Sequence, residues 1–181
     1  MKELSLNVLD ITQNSITAGA TTVTISLVED EKGILTLTIE DDGCGMTPET
    51  VERVTNPFYT TRTTRRVGMG LPLLKLAAEQ TGGTLSVTSS VAPENHGTCV
   101  KATFNTRHID FTPVGDMVST VTTIIQGHPE VHFIYLHETP QFSVRLDTAE
   151  LLAVLGEGIS LAAPDVIAWI GAYLTQQYSE E

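Results

Sequence analysis

The sequence predicts an α+β fold: a two-layer sandwich of helices on a mixed, mostly antiparallel sheet, followed by a small α/β C-terminal extension. Three observations predict it. Helix and strand periodicities follow one another in the order helix, hairpin, loop, helix, hairpin through about Phe104. Glycine and proline punctuate the ends of these segments, as at Gly19, Pro48 and Gly82-Gly83. A second pattern of one helix, two strands and two helices then starts near Asp110 with no low-complexity linker before it. A chain of 181 residues suits one domain, or one core domain with an extension on its surface. The expected division is residues 1–108 for the core and 109–181 for an extension packed on it.

Leu4, Val8, Ile11 and Ser15 or Ile16 fall near a helical repeat, and Gly19 can supply the left-handed stop, so the first helix ends near Ala18. Thr21 to Val28 alternates Val23, Ile25 and Leu27 with polar residues. It turns at Glu29 to Gly33 and resumes with Leu35, Leu37 and Ile39, which reads as a hairpin. Asp41 to Met46 is too glycine-rich for an element interior, and Thr47-Pro48-Glu49 opens a short helix through Val54. Asn56 to Met69 has little periodicity and much Thr and Arg, so it reads as a mobile loop. Gly70-Leu71-Pro72 starts a helix that stops at Gly82-Gly83, and Thr84–Ser90 with Thr98–Phe104 forms a second hairpin. In the extension, Val114 to Ile125 reads as a helix, and Val131–Leu136 and Phe142–Leu146 as strands. Asp147-Thr148-Ala149-Glu150 reads as a capping box, and Pro164 opens a last helix to about Tyr173.

Composition narrows the function. With 41% hydrophobic and 18% charged residues the chain is globular, and it has no apolar run near the twenty residues of a membrane span. The N-terminus lacks a secretory signal pattern, so the expected location is the cytoplasm. Cys44 and Cys99 are too few for a disulfide framework and lack metal-ligand spacing, which fits a reducing compartment. A net charge of −12 opposes general affinity for nucleic acid or anionic membrane. Beyond His108 the only Lys or Arg is Arg145, whereas Arg53, Arg62, Arg65, Arg66 and Lys75 gather in one segment. That segment is either a local phosphate-receiving patch or a solvated loop.

Several residues carry chemistry. Asp10 and Asn14 lie one turn apart on the first helix, so an acid and an amide can address one site. The amide oxygen can complete a Mg²⁺ shell otherwise filled by triphosphate and water, and the carboxylate can orient or deprotonate an attacking group. The alternative is a pair of solvated side chains. Asp41 ends a strand before Gly43-Cys44-Gly45, where missing Cβ atoms admit a flat ligand whose exocyclic amine the carboxylate would accept; a plain surface turn is the alternative. Gly68-Met69-Gly70 precedes a helix start, where backbone N–H groups and the helix dipole favour phosphate, unless it is only a hinge.

In order and spacing these segments resemble the ATP-binding domain of the gyrase, heat-shock-chaperone, histidine-kinase and MutL superfamily over about the first 104 residues. Asp10 to Thr21 looks like its N box, and Asn-Ser-x-x-Ala-Gly-Ala-Thr is especially similar to the MutL version. Asp41 to Met46 looks like the first glycine box, Asn56 to Arg62 like the phenylalanine box of histidine kinases, and Gly68 to Leu71 like the second glycine box. The resemblance implies the histidine kinase-like ATPase fold, ATP and Mg²⁺ as ligands, and Asn14 as the metal contact. It assigns Asp41 to the adenine amino group, with Thr98 beside it, and gives Asn56 to Val67 the role of an ATP lid. Gly43, Gly45, Met46, Phe58, Arg62, Gly68, Met69, Gly70 and Leu71 complete the implied nucleotide contacts, Arg62 toward phosphate. Asp10 would be the catalytic base, although the superfamily usually has Glu there; Thr17 and Pro72 replace the usual Asp and Gly.

The N box starts within ten residues of the N-terminus, so no phosphoacceptor hairpin is expected before it. His137-Glu138-Thr139-Pro140 is read as a surface turn rather than an acceptor motif, and His96, His108, His128 and His132 as structural. Three functions remain. The first is an ATPase or protein kinase that regulates a protein partner in trans, as anti-sigma-factor kinases do, with the acidic tail aiding recognition. The second is an ATP-responsive binding module with little turnover. The third, a MutL-like clamp, needs a phosphate-contacting lysine from a second domain, and the tail contains no lysine.

Overall fold

The computed structural model describes residues 2–56 and 69–180. Its elements are α1 (Leu4–Thr17), β1 (Thr22–Glu29), β2 (Ile34–Asp41), α2 (Pro48–Val54), α3 (Gly70–Gln80), β3 (Leu85–Ser90) and β4 (Gly97–Asn105). The extension adds α4 (Met117–Gly127), β5 (His132–Glu138), β6 (Ser143–Asp147), α5 (Thr148–Leu155) and α6 (Pro164–Ser179). Core and extension share one six-stranded sheet in the order β3-β4-β2-β1-β5-β6. Neighbours are antiparallel except β1 and β5, which run parallel with Val23 opposite Phe133. The extension therefore continues the sheet, as well as packing on the core.

The two-residue period of the strands sends one set of side chains to a common face. Val23, Ile25 and Leu27 of β1, Leu35, Leu37 and Ile39 of β2, Val100, Ala102 and Phe104 of β4, and Phe133 and Tyr135 of β5 are all buried. Helices supply the other half of the core at their own period: Leu4, Val8 and Ile11 from α1, Leu71, Leu74 and Ala78 from α3, and Val166, Ile170 and Leu174 from α6. Fully burying one such aliphatic side chain contributes about 1.5–3 kcal/mol. Contacts run from α3 to α1, α1 to α4 and α4 to α6. This order holds α1 in mid-layer with its C-terminal turn beside the end of β2.

Four local expectations change. Helix α4 begins at Met117 rather than near Val114, because Gly115 has φ 83° and Asp116 accepts the Ser119 N–H at 2.9 Å as N-cap. Helix α6 runs past Tyr173 to Ser179, because Leu174 is fully buried and the Tyr178 hydroxyl lies 2.6 Å from that of Tyr135 and 2.8 Å from His137 Nδ1. Only half of the capping box forms: Asp147 accepts the Ala149 and Glu150 N–H groups, while the Glu150 carboxylate turns to Arg145 at 2.8 Å. His137 is an inward-facing residue of β5 with 6% of its surface exposed, not part of a surface turn. No helix among the described residues is long and apolar enough to cross a membrane.

Candidate nucleotide site

Asp41, the last residue of β2, is held by two donors. The Ser15 hydroxyl gives its hydrogen to Oδ2 at 2.6 Å, and the Gly43 N–H donates to Oδ1 at 2.9 Å. Ser15 is buried because it falls one turn after Ile11 on the inward face of α1. Antiparallel register places Thr98 of β4 opposite Asp41. Ser89 of β3 donates to the Gly97 carbonyl at 2.9 Å, accepts the Met46 N–H at 2.8 Å and lies 2.7 Å from the Thr98 hydroxyl. Since Ser89 has one hydrogen and gives it to Gly97, Thr98 donates to Ser89 and keeps its lone pairs for a ligand.

These groups form the polar end of a cavity of about 250 Å³ between the helices and the sheet. Ile11, Ala18, Val54, Leu71 and Val100 supply apolar walls, with Met46 and Gly45 on the first glycine turn and Asn14 completing the lining. The result is a slot with apolar sides, a carboxylate and a hydroxyl at one end, and an exposed amide at another point of its wall. Such a slot suits a flat base with an exocyclic amine. Gly45 has φ 75°, and a Cβ there would collide with the Ser90 carbonyl oxygen, so the turn can lie against the sheet only as glycine.

Toward the start of α3 the chain closes on α1: a Cβ added at Gly70 would lie 3.4 Å from Asp10 Cβ. The positive end of the α3 dipole therefore sits beside an acid one turn before Asn14. Asp10 is exposed and lies outside the cavity lining, as does Met69, which precedes α3 and is 43% exposed. Gly43 packs between Ala18 and the Asp41 carboxylate. Phe58, Arg62 and Gly68, with most of the expected lid, lie outside the described residues.

A family model of histidine kinase-, DNA gyrase B- and HSP90-like ATPases matches residues 1–108. The chain belongs to this ATPase family. The sensor histidine kinase CpxA of Escherichia coli K12 is 33% identical over 79 residues, 41% of this chain and 17% of CpxA. The chain thus spans less than a fifth of that curated relative. Among solved structures, the N-terminal domain of a DNA repair protein superimposes with a TM-score of 0.57 at 20% identity, covering 81% of this chain and 53% of that one. The Aquifex aeolicus MutL ATPase domain complexed with ADP gives 0.52 at 17% identity, covering 81% and 63%. Both alignments exceed the share of the chain in residues 1–108, so the likeness in fold reaches into the extension.

Within this ATPase domain, three supporting residues had no role assigned from the sequence. Ser15 was already placed on the inward repeat of the first helix, but its bond to Asp41 was not foreseen. Ser89 had no local signal, because Met46 is 43 residues away and Thr98 faces it only through the register of the second hairpin. Asp42 accepts the Thr21 N–H at 2.7 Å, the Thr21 hydroxyl at 2.6 Å and the Thr22 N–H at 2.9 Å, tying the end of β2 to the start of β1. Burial alone would raise the Asp42 carboxyl, yet these hydrogen bonds hold it below its ordinary value. For Mg²⁺, no group of three or more His, Cys, Asp or Glu among the described residues could hold a metal. An ion here would draw most of its oxygen ligands from a bound triphosphate and water, and the exposed Asn14 amide oxygen at the cavity wall is a donor of the kind Mg²⁺ accepts.

Proposed function

We propose that this ATPase domain binds ATP with Mg²⁺ and acts on a protein partner in trans, as an ATPase or a protein kinase of the anti-sigma-kinase kind, in the cytoplasm. One observation carries the reading: Asp41, fixed by Ser15 and Gly43, shares a single cavity with Thr98 and Asn14, next to the start of α3. In it the Asp41 carboxylate accepts the adenine amine and Thr98 supports the base. Asn14 contacts Mg²⁺, and the α3 N-terminus with Arg62 receives phosphate. Bound Mg²⁺ would neutralise charge on the phosphates. Asp10 is the base that takes a proton from the attacking hydroxyl or water, and the ADP bound by the MutL domain of like fold supports the choice of nucleotide.

A second reading, a nucleotide-responsive binding module with little turnover, draws on Asp10 itself: it is a methylene shorter than the family's usual Glu and exposed outside the cavity lining. Mg²⁺-dependent ATP turnover by the native chain beside Asp10→Ala separates the two. Loss of turnover with retained binding establishes the enzyme. Binding without turnover in either form replaces the first reading with the second, and no ATP binding by the native chain refutes both.

A further inference from the structure

The extension carries a second concavity, far in sequence from the nucleotide residues. It measures about 420 Å³ and lies among β6, α5 and α6. Leu146, Leu151 and Leu155 contribute apolar lining from β6 and α5, and Val154, Trp169 and Tyr173 add exposed apolar surface. Val154 is 84% exposed and Trp169 50%, and the Trp169 and Tyr173 rings stack at 5.0 Å. Exposed aliphatic and aromatic side chains gathered in one groove are the composition of a protein contact.

Charge identifies the occupant. Residues 109–181 hold ten carboxylates against the single Arg145, which places nine of the twelve net negative charges on that segment. Arg145 itself lines the groove but is spanned by Glu150, its guanidinium nitrogens lying 2.8 and 3.4 Å from the two carboxylate oxygens. Asp147 and Glu150 are the acids in the lining, and Asp147 is itself 2.8 Å from His132 Nε2 and caps α5, so the negative charge that a partner meets is that of the whole segment. A second copy of this chain would bring like charge to like charge. Strand addition is also obstructed: β6 is the sheet edge, but the Gln177 side chain accepts the Arg145 N–H at 2.9 Å and donates to the Arg145 carbonyl at 3.1 Å. That amide occupies the hydrogen bonds an incoming strand would use.

We propose that the β6–α5–α6 groove docks a lysine- or arginine-rich amphipathic helix of a protein partner, its apolar face on Trp169, Tyr173 and Val154 and its cations drawn by the net negative charge of residues 109–181. The inference deepens the partner-directed reading above and rests on it for its biological sense. Trp169 is the only tryptophan in the chain, so its emission reports this groove directly.

The probe is a lysine–leucine peptide of helical period, titrated into the full chain beside a glutamate–leucine peptide of the same pattern. The expected result is a saturable blue shift of Trp169 emission with the lysine peptide only, weakened by added salt. Val154→Gln, at an exposed position, is expected to weaken it about tenfold, the equivalent of about 1.4 kcal/mol of lost apolar contact. No shift, an equal shift with the glutamate peptide, or full affinity in Val154→Gln overturns the proposal. So does emission that varies with protein concentration alone, which would assign the groove to a second copy. ATP titration of the same samples keeps the two readings apart: nucleotide binding without peptide binding sinks the groove alone, and peptide binding without nucleotide binding sinks the proposed function alone.

Discussion

Replacing Asp41 by Asn changes the carboxylate end of the cavity, proposed above to recognise the base, while keeping its shape. Asp41 accepts from both Ser15 and Gly43, at 2.6 and 2.9 Å. An amide has one acceptor oxygen, which the Gly43 N–H claims because a backbone donor cannot turn away. The amide NH₂ then faces Ser15, whose hydroxyl can swing its hydrogen to the Ile11 carbonyl, already 3.4 Å away. The local fold should therefore survive, with a small fall in melting temperature. On the proposed role of Asp41, what is lost is a charged acceptor for the adenine amine. Hydrogen bonds to charged groups contribute about 1.5–3 kcal/mol and neutral ones about 0.5–1.5, so ATP affinity should fall by about 1–2 kcal/mol, roughly five- to thirtyfold. The amide also offers a donor, which suits the 6-oxo group of inosine triphosphate better than the native carboxylate does. The assay is calorimetric titration of native chain and Asp41→Asn with ATP and with inosine triphosphate, beside thermal melts. The ATP-to-ITP preference should fall in the variant. An unchanged preference in a folded variant would refute the assignment of Asp41 to the base.

Ser15→Ala should lower ATP affinity in the same direction and cost about 1.5–3 kcal/mol in urea unfolding, because it removes the buried donor that fixes a carboxylate; an unchanged midpoint and affinity would show that Gly43 alone suffices. Gly45→Ala should lose nucleotide binding and melt at lower temperature, since its φ of 75° is strained for alanine by about 1–2 kcal/mol and its Cβ meets the Ser90 carbonyl; retained binding at full stability would contradict the packing of that turn. Burial lowers the His137 imidazole from 6.5 to about 4, so the unfolded chain binds the proton more readily than the folded one. Stability from this group is complete above about pH 6.5 and falls as pH drops toward 4, by up to about 3 kcal/mol. Urea midpoints measured between pH 7 and 4 in native chain and His137→Phe should diverge in slope over that window; parallel curves would place the titration elsewhere.

Element boundaries were legible where a residue's own backbone or cap decides them. Gly19 and Gly82 do take positive φ, after α1 and α3, and Thr47 accepts the Thr50 N–H at the start of α2. The alternation of Val23, Ile25 and Leu27 against Leu35, Leu37 and Ile39 likewise gave the β1–β2 hairpin, since both strands bury the same face. Boundaries set by distant partners were not legible. Helix α6 continues because Tyr178 reaches Tyr135 and His137, some forty residues earlier, and the parallel pairing of β1 with β5 joins segments about a hundred residues apart. The site shows the same division. Asn14, Asp41, Gly45, Met46, Leu71 and Thr98 were read from motifs, and all six line one cavity. Ser89 and Asp42 brace the strands and turn beside that cavity through Met46, Thr98, Thr21 and Thr22, contacts that no motif names.

If one cavity binds the base at Asp41 and the metal–phosphate end at Asn14, calorimetric titration of ATP into native chain and Asn14→Ala, each with and without Mg²⁺, will separate the two ends. Mg²⁺ should tighten binding by the native chain, and Asn14→Ala should keep the Mg²⁺-free affinity but lose this gain. An equal Mg²⁺ gain in both proteins, or no ATP binding by the native chain, would contradict that assignment.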